Sequence, residues 1–203
     1  MTTENKDIMI RLESHHIWIE TIGEQGEQLG IDEIDLRNVE LSHYPLGQAY
    51  ITACNFDGMN LNRKDFSLSL LSSSTFISTS LEGADFCKSN VSYADFTNAK
   101  VKGARFADCE CIETVFVKAD LSDANLVAGL FDETDFRNAI LFNADVRLAT
   151  FEGALLKGAI LTGVRELKEA FIKSINIGSP EQPNILVGEE AKKWLNDNIL
   201  SYE

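Results

Sequence analysis

An apolar residue returns at every fifth position from Ile31 to Leu161, and no insertion resets the register. The series opens Ile31, Leu36, Leu41, Leu46, Ile51, Phe56 and closes Val146, Phe151, Leu156, Leu161; all 27 positions are apolar in a chain that is 44% hydrophobic. Chance does not produce that agreement, so the chain is a repeat protein before it is anything else. A period of five fits neither the helical 3.6 nor the strand 2.0. Two residues before each large residue stands a small one, Ala84, Ala94, Ala99, Ala104, Ala119 and Ala124 among them, with Ser, Thr or Gly at most others. The position between favours Asp or Asn, as at Asp85, Asp95, Asp120, Asn125 and Asp145. A small and a large residue two apart point the same way on an extended segment, leaving three polar residues to turn a corner.

Ala84-Asp85-Phe86, Ala94-Asp95-Phe96, Ala119-Asp120-Leu121, Ala124-Asn125-Leu126 and Ala144-Asp145-Val146 resemble the A(D/N)LXX motif of pentapeptide repeat proteins. The resemblance covers residues 29–164, about two thirds of the chain. It implies an all-β solenoid: a right-handed quadrilateral β-helix, four pentapeptides to a coil and about seven coils in all, roughly 32 Å long at strand-like stacking. Phe at 56, 66, 76, 86, 96, 106 and 116 supports four sides, because every tenth residue of a 20-residue coil falls on opposite sides. Large side chains are then expected to face small ones across the axis. The sides are named by their inward residues: first Ile31 to Phe151, second Leu36 to Leu156, third Leu41 to Leu161, fourth Leu46 to Val146.

A stacked column needs closed ends. Residues 1–28 are expected to form a capping helix, with Ile8, Leu12, His15 and Ile19 on one face and Gly23 and Gly26 ending it. The run His15-His16-Ile17-Trp18 resembles a short His-x-x-Trp helix that precedes the repeats in some family members. Residues 165–203 read as a helix–hairpin–helix cap: a short helix near Val164 to Phe171, strands at Ile175–Ile177 and Ile185–Val187, and a helix from Glu189. Lys64 stands at a normally small, inward position, and Tyr44-Pro45 and Met59 are bulky departures that make the first coils less regular.

Chemistry-bearing patterns are sparse. Cys54, Cys109 and Cys111 fall at inward positions and Cys87 at an outward one, so Cys109-x-Cys111 offers two ligands where zinc wants four. His15 and His16 are neighbours that point to different helix faces. There is no nucleophile motif, phosphate-binding glycine loop or HExxH. The reading is therefore a non-enzyme with no catalytic residue, metal or cofactor. Unpatterned cysteines and a polar start without a signal-peptide core place it in the cytoplasm.

The net charge of −14 and pI of about 4.6 argue against direct contact with nucleic acid or anionic membrane. Sorted by side, the charge acquires a location. The second and fourth sides each balance, with four acids and four bases, and the third is at −1. The first carries Asp32, Glu33, Glu110, Glu113, Asp132, Glu133 and Glu152 within residues 29–164, with no Lys or Arg. Outward apolar residues crowd the C-terminal half, notably Ile112, Leu130, Ile140, Phe142, Leu155 and Ile160. The C-terminal tail is the first expected cover for them and a homodimer through the C-terminal region the second. Together these features predict a non-catalytic interaction module or scaffold whose acidic side meets a basic protein partner. Two alternatives come with the family. One is a DNA-mimicking modulator of DNA gyrase or topoisomerase, like the quinolone-resistance proteins; the other is an immunity or self-protection protein.

Overall fold

The computed structural model describes residues 3–199, with side chains from Lys6 onward. Residues 1, 2 and 200–203, which belong to the expected flanks, lie outside these. Helix α1 (Thr3–Glu20) precedes the repeat. Within the repeat, every ladder contact is parallel and joins residue i to residue i+20. On the second side the chain of contacts runs Asp35, Asn55, Thr75, Asp95, Val115, Asp135, Leu155; on the fourth, Asp65, Asp85, Arg105, Asn125, Asp145, Arg165. Four pentapeptides therefore separate any residue from the one stacked on it. Extended pieces are so short that few qualify as strands: β1 (Gly30–Asp32), β2 (Tyr50–Thr52), β3 (Leu130–Asp132), β4 (Thr150–Glu152) and β5 (Ala154–Leu155).

The corners explain the polar part of the motif. At most corners the carbonyl of the large residue accepts the N–H three positions on, as in Ala94 N to Val91 O and Ala119 N to Phe116 O, both 3.0 Å. The residue before that N–H is left-handed, with φ of 64° at Tyr93 and 59° at Lys118, as a type II turn requires. Accordingly no β-branched residue occupies this position anywhere between Glu33 and Gly163. The favoured Asp or Asn accepts the backbone N–H two residues later, from Thr97 to Asp95 at 2.8 Å and from Val127 to Asn125 at 3.0 Å. These Asx turns pre-bend the chain into each corner.

Inside, the large residues are buried and the phenylalanines form ladders. Phe56, Phe76, Phe96 and Phe116 stack at 4.7, 4.7 and 4.9 Å between ring centroids, and Phe66, Phe86 and Phe106 at 5.0 and 4.8 Å. Large does not face small across the axis. The two ladders meet edge to face at 5.5–6.1 Å, because opposite sides are half a coil out of step and the rings interleave. Beyond Phe116 the pattern rotates by one side. Leu126 and Val146 replace Phe on the fourth side, while Phe131 and Phe151 stack at 5.3 Å on the first. Gly129 makes this fit, since a β-carbon there would lie 2.7 Å from the Phe131 ring.

Where the small position holds Ser or Thr, its hydroxyl donates to the backbone carbonyl 23 residues earlier. Ser74 reaches Ile51 O at 2.9 Å, Thr79 reaches Phe56 O at 2.8 Å and Thr114 reaches Val91 O at 2.9 Å. Buried hydroxyls thus stitch adjacent coils together and leave no polar cost. Lys64 does the same with three donors: Nζ bonds the carbonyls of Leu41 (2.5 Å), Ser42 (3.1 Å) and Tyr44 (3.1 Å). Burial lowers its pKa. All three ammonium hydrogens are satisfied, in a stretch where Pro45 lacks an N–H and no ladder contact joins it to Asp65.

Helix α1 packs Ile8 and Leu12 inward, and His15 fastens it. Nδ1 accepts the N–H of Leu29 and Nε2 donates to Gly47 O, each at 3.1 Å, while the ring stacks on Trp18 at 5.7 Å. Gly26, at φ 74°, lets the chain double back so tightly that a β-carbon would sit 2.2 Å from Ser14 O. At the other end the expected short helix is a single 3-10 turn, Leu167–Glu169. Then follow β6 (Phe171–Ile172), which continues the first side by pairing with β4, and β7 (Ser174–Asn176), which pairs with β5. The strand expected at Ile175–Ile177 stands at Ser174–Asn176, and β8 (Ile185–Val187) runs antiparallel to it. Helix α2 (Gly188–Ile199) ends the described chain.

Two predictions follow from this core. Phe96→Ala, in the middle of a ladder, should cost about 3–5 kcal/mol, whereas Thr114→Val should cost about 1 kcal/mol, because Val91 O keeps the Ala94 N–H. Denaturant melts of the two variants test that ranking. His15 is held neutral, its pKa lowered from 6.5 chiefly by burial. Its contribution is therefore complete above about pH 6.5 and lost as pH falls through the depressed folded value. Melts at about pH 7.5 and 5.5 should show wild type losing more stability on acidification than His15→Phe.

Candidate functional site

The first side is built by three consecutive strands in register. Leu130, Thr150 and Phe171 stack in one outward row; Phe131, Phe151 and Ile172 stack inward; Asp132 and Glu152 stack in the next outward row. Glu110 stands one coil earlier, over Leu130. At the following corner Glu113 and Glu133 are left-handed, with φ of 52° each, and Gly153 completes their column at 70°. Glu133 leans along the axis, for a β-carbon on Gly153 would lie 2.3 Å from its Oε1.

The seven carboxylates do not form one continuous surface. Asp32 and Glu33 lie four coils before Glu110 and Glu113, about 19 Å away at strand spacing. Thr52 Oγ1 donates to Asp32. The intervening coils present Thr52, Ser72 and Ser92 where later ones present acids. Glu110, Glu113, Asp132, Glu133 and Glu152 form the second and larger group. Glu110, Glu113, Glu133 and Glu152 are exposed, Asp132 is half-buried, and Asp132 Oδ1 has no hydrogen-bond partner.

Nor does this side lack a cation once the tail is in place. Continuation through β6 brings Lys173 beside Glu152 at 2.6 Å, and the carboxylate raises the lysine pKa. The signal was present as Ala170-Phe171-Ile172, a small–x–large triplet displaced by one residue from the five-residue register. Glu110 receives a hydrogen bond from Asn90 Nδ2 at 2.6 Å. The balanced sides differ in kind, because there the charges pair: Arg137 with Asp135 at 2.6 Å, Arg105 with Asp85 at 2.9 Å and Arg37 with Asp35 at 2.7 Å. The Arg37 guanidinium holds Asp35 down at about 2.

The apolar residues separate as well. Ile112 and Leu130 are on the first side, Ile140, Phe142 and Ile160 on the third, and Leu155 on the second. Outward positions of a four-sided coil point four ways, so six such residues cannot make one patch. The tail covers one of them. Leu155 is buried as β5 pairs with β7, while Leu130, Phe142 and Ile160 stay 39%, 44% and 45% exposed. The tail's apolar residues go elsewhere: Leu167, Ile172, Ile175, Leu195 and Ile199 close over Leu141, Val146, Phe151, Leu156 and Leu161, the inward residues of the last coil. The tail's apolar residues thus pack on the inward residues of the last coil, which offer more apolar area than scattered outward ones.

Cys54, Cys109 and Cys111 are buried free thiols, and burial pushes Cys54 up to about 11. Among the described residues no group of three or more His, Cys, Asp or Glu is placed to hold a metal ion. Likewise, no helix there is long and apolar enough to cross a membrane.

A family model for pentapeptide repeats matches residues 49–86, 65–103, 94–129 and 119–163, eight copies in all. No curated protein matches. Among solved structures, a pentapeptide repeat protein from the thylakoid lumen of Arabidopsis thaliana is 21% identical over 75% of this chain and 91% of its own, with a TM-score of 0.37. Rfr23, a pentapeptide repeat protein from the cyanobacterium Cyanothece 51142, is 24% identical over 61% and 84%, with a TM-score of 0.34. QnrB1, a plasmid-mediated fluoroquinolone resistance protein, is 17% identical over 72% and 80%, with a TM-score of 0.29.

The unpaired acids should cost stability. Glu113→Gln with Glu133→Gln is expected to raise the melting temperature at low salt, and the gain should vanish near 1 M salt, where the Debye length is about 3 Å. A gain that persists in high salt would show that repulsion is not its source.

Proposed function

The chain belongs to the pentapeptide repeat proteins, and on that premise we propose that it is a non-catalytic scaffold that docks a basic protein on its first side. Pentapeptide repeat proteins of known structure form right-handed quadrilateral β-helices. The reading for this chain is a column of that kind, of about seven coils, over residues 29–164, with residues 1–28 and 165–203 as its two caps. A rod whose one acidic side pairs only Glu152 with a cation has one direction in which a cationic partner gains energy. That one-sidedness carries the reading: five carboxylates in three coils, with Lys173 as the single cation stacked among them. Buried thiols without pairing suit the cytoplasm.

The same distribution weighs against duplex mimicry, which needs carboxylates around the rod, whereas two of the four sides balance. Changing Glu110, Glu113, Asp132 and Glu133 together to Lys should abolish capture of the partner that the wild-type chain retains, with the melting temperature preserved. Equal capture would mean that the acids serve solubility alone. In a supercoiling assay, micromolar protein should neither inhibit DNA gyrase nor protect it from a quinolone. Either effect would favour the topoisomerase reading.

A further inference from the structure

Alongside the acids stand exposed apolar residues, Leu130 and Phe171 in one row with Thr150 between them, that no element of the described chain covers. Leu130 and Phe171 occupy one outward row of the first side, 39% and 59% exposed, and Leu148, at the corner just before that row, is 47% exposed. Three residues further along each strand, about 10 Å across the side, stand Glu113 and Glu133, with Asp132 and Glu152 between. The first half of the column has exposed apolar residues in the equivalent row and corner, Tyr50 and Leu68, but no acids opposite them. Only the last coils set the two stripes side by side.

Resting on the acidic side as a docking surface, we infer that its occupant is an amphipathic basic α-helix lying parallel to the column axis, its apolar edge on Leu130, Leu148 and Phe171 and its Lys or Arg edge on Glu113 and Glu133. Spacing selects the helix. Adjacent coils repeat at strand spacing, about 4.8 Å, and the Phe76 and Phe96 rings stack at 4.7 Å. A helix repeats every 5.4 Å per turn and keeps pace with successive coils, whereas an extended strand presents the same face every 6.6–6.8 Å and falls out of step within two coils. Helix diameter, about 10 Å, matches the separation of the stripes. From Glu110 to Phe171 is three coil steps, about 14 Å, or roughly ten helical residues. Lys173 sits at the tail end of the acidic stripe and neutralises Glu152 there. The helix therefore carries its cations toward Glu113 and Glu133 and needs fewest beside Glu152.

The probe is a synthetic peptide of about 12 residues built from Leu and Lys, with Leu at helical spacing and Lys along one flank. A permuted peptide of the same composition without that period is the comparison. Fluorescence anisotropy on the full chain should give a Kd at least about tenfold lower for the patterned peptide, with helical circular dichroism gained on binding. Leu130→Ser with Phe171→Ser should weaken it by about tenfold, and so should Glu113→Gln with Glu133→Gln, the latter with a shallower salt dependence. Leu148→Asn, which suits the left-handed corner, gives the same readout should the double apolar variant unfold. Equal binding of both peptides, or binding indifferent to the apolar variants, overturns the helix. If the glutamate variant still weakens both, the acidic docking surface stands without it. Absence of binding by either peptide overturns the helix, and the charge-reversal capture experiment then judges the surface separately.

Discussion

Each inward side chain of the column rests on the one 20 residues before it, and that contact governs the rest of the molecule. Phe76 stacks on Phe56 and Phe96 on Phe76 at 4.7 Å, so a shift in register at one coil would misplace every ring beyond it. Parallel ladder bonds alone would tolerate such a slip. The interleaving of two phenylalanine ladders does not, because each ring also meets the opposite ladder edge-on. Corners of constant length follow. An uninterrupted five-residue spacing across 27 repeats is the sequence signature of that demand.

The exterior inherits the same register. Outward residues 20 apart become neighbours about 5 Å apart, so charges scattered along the chain are gathered into rows. Where a row mixes signs it pairs, as Arg105 does with Asp85. Where it is all acid, as at Glu113 and Glu133 on the first side, repulsion remains in the folded chain. A cost of that kind, borne beside an exposed row of Leu130 and Phe171, is relieved when a partner supplies cations and apolar cover together.

The two segments that flank the repeat pack on it by different physics. At the N-terminal end one neutral histidine accepts and donates at once, tying α1 to the backbone of Leu29 and Gly47. At the C-terminal end the chain keeps making coil-like strands, β6 and β7, before α2 brings Leu195 and Ile199 over the last inward residues. The first end therefore answers to pH, while the second depends on apolar burial.

Much was legible in the residues alone: the five-residue repeat, the four inward columns, the pairing of Ile185–Val187 and the helix after it. These follow from local spacing, since a period of five with a small–x–large triplet dictates what points inward. What tertiary structure decided depends on how distant segments meet. Opposite phenylalanine ladders touch because the coil is narrow. Lys64 finds three carbonyls because no ladder contact joins Pro45 to Asp65 beside them. Leu155 is buried while Leu130 is not, because the tail strand β7 pairs with β5 on the second side. Lys173 joins the acidic side because a one-residue offset hid the coil that carries it. Spacing determines which way a side chain points, but its neighbours across the axis and beyond the repeat are set only when the column closes.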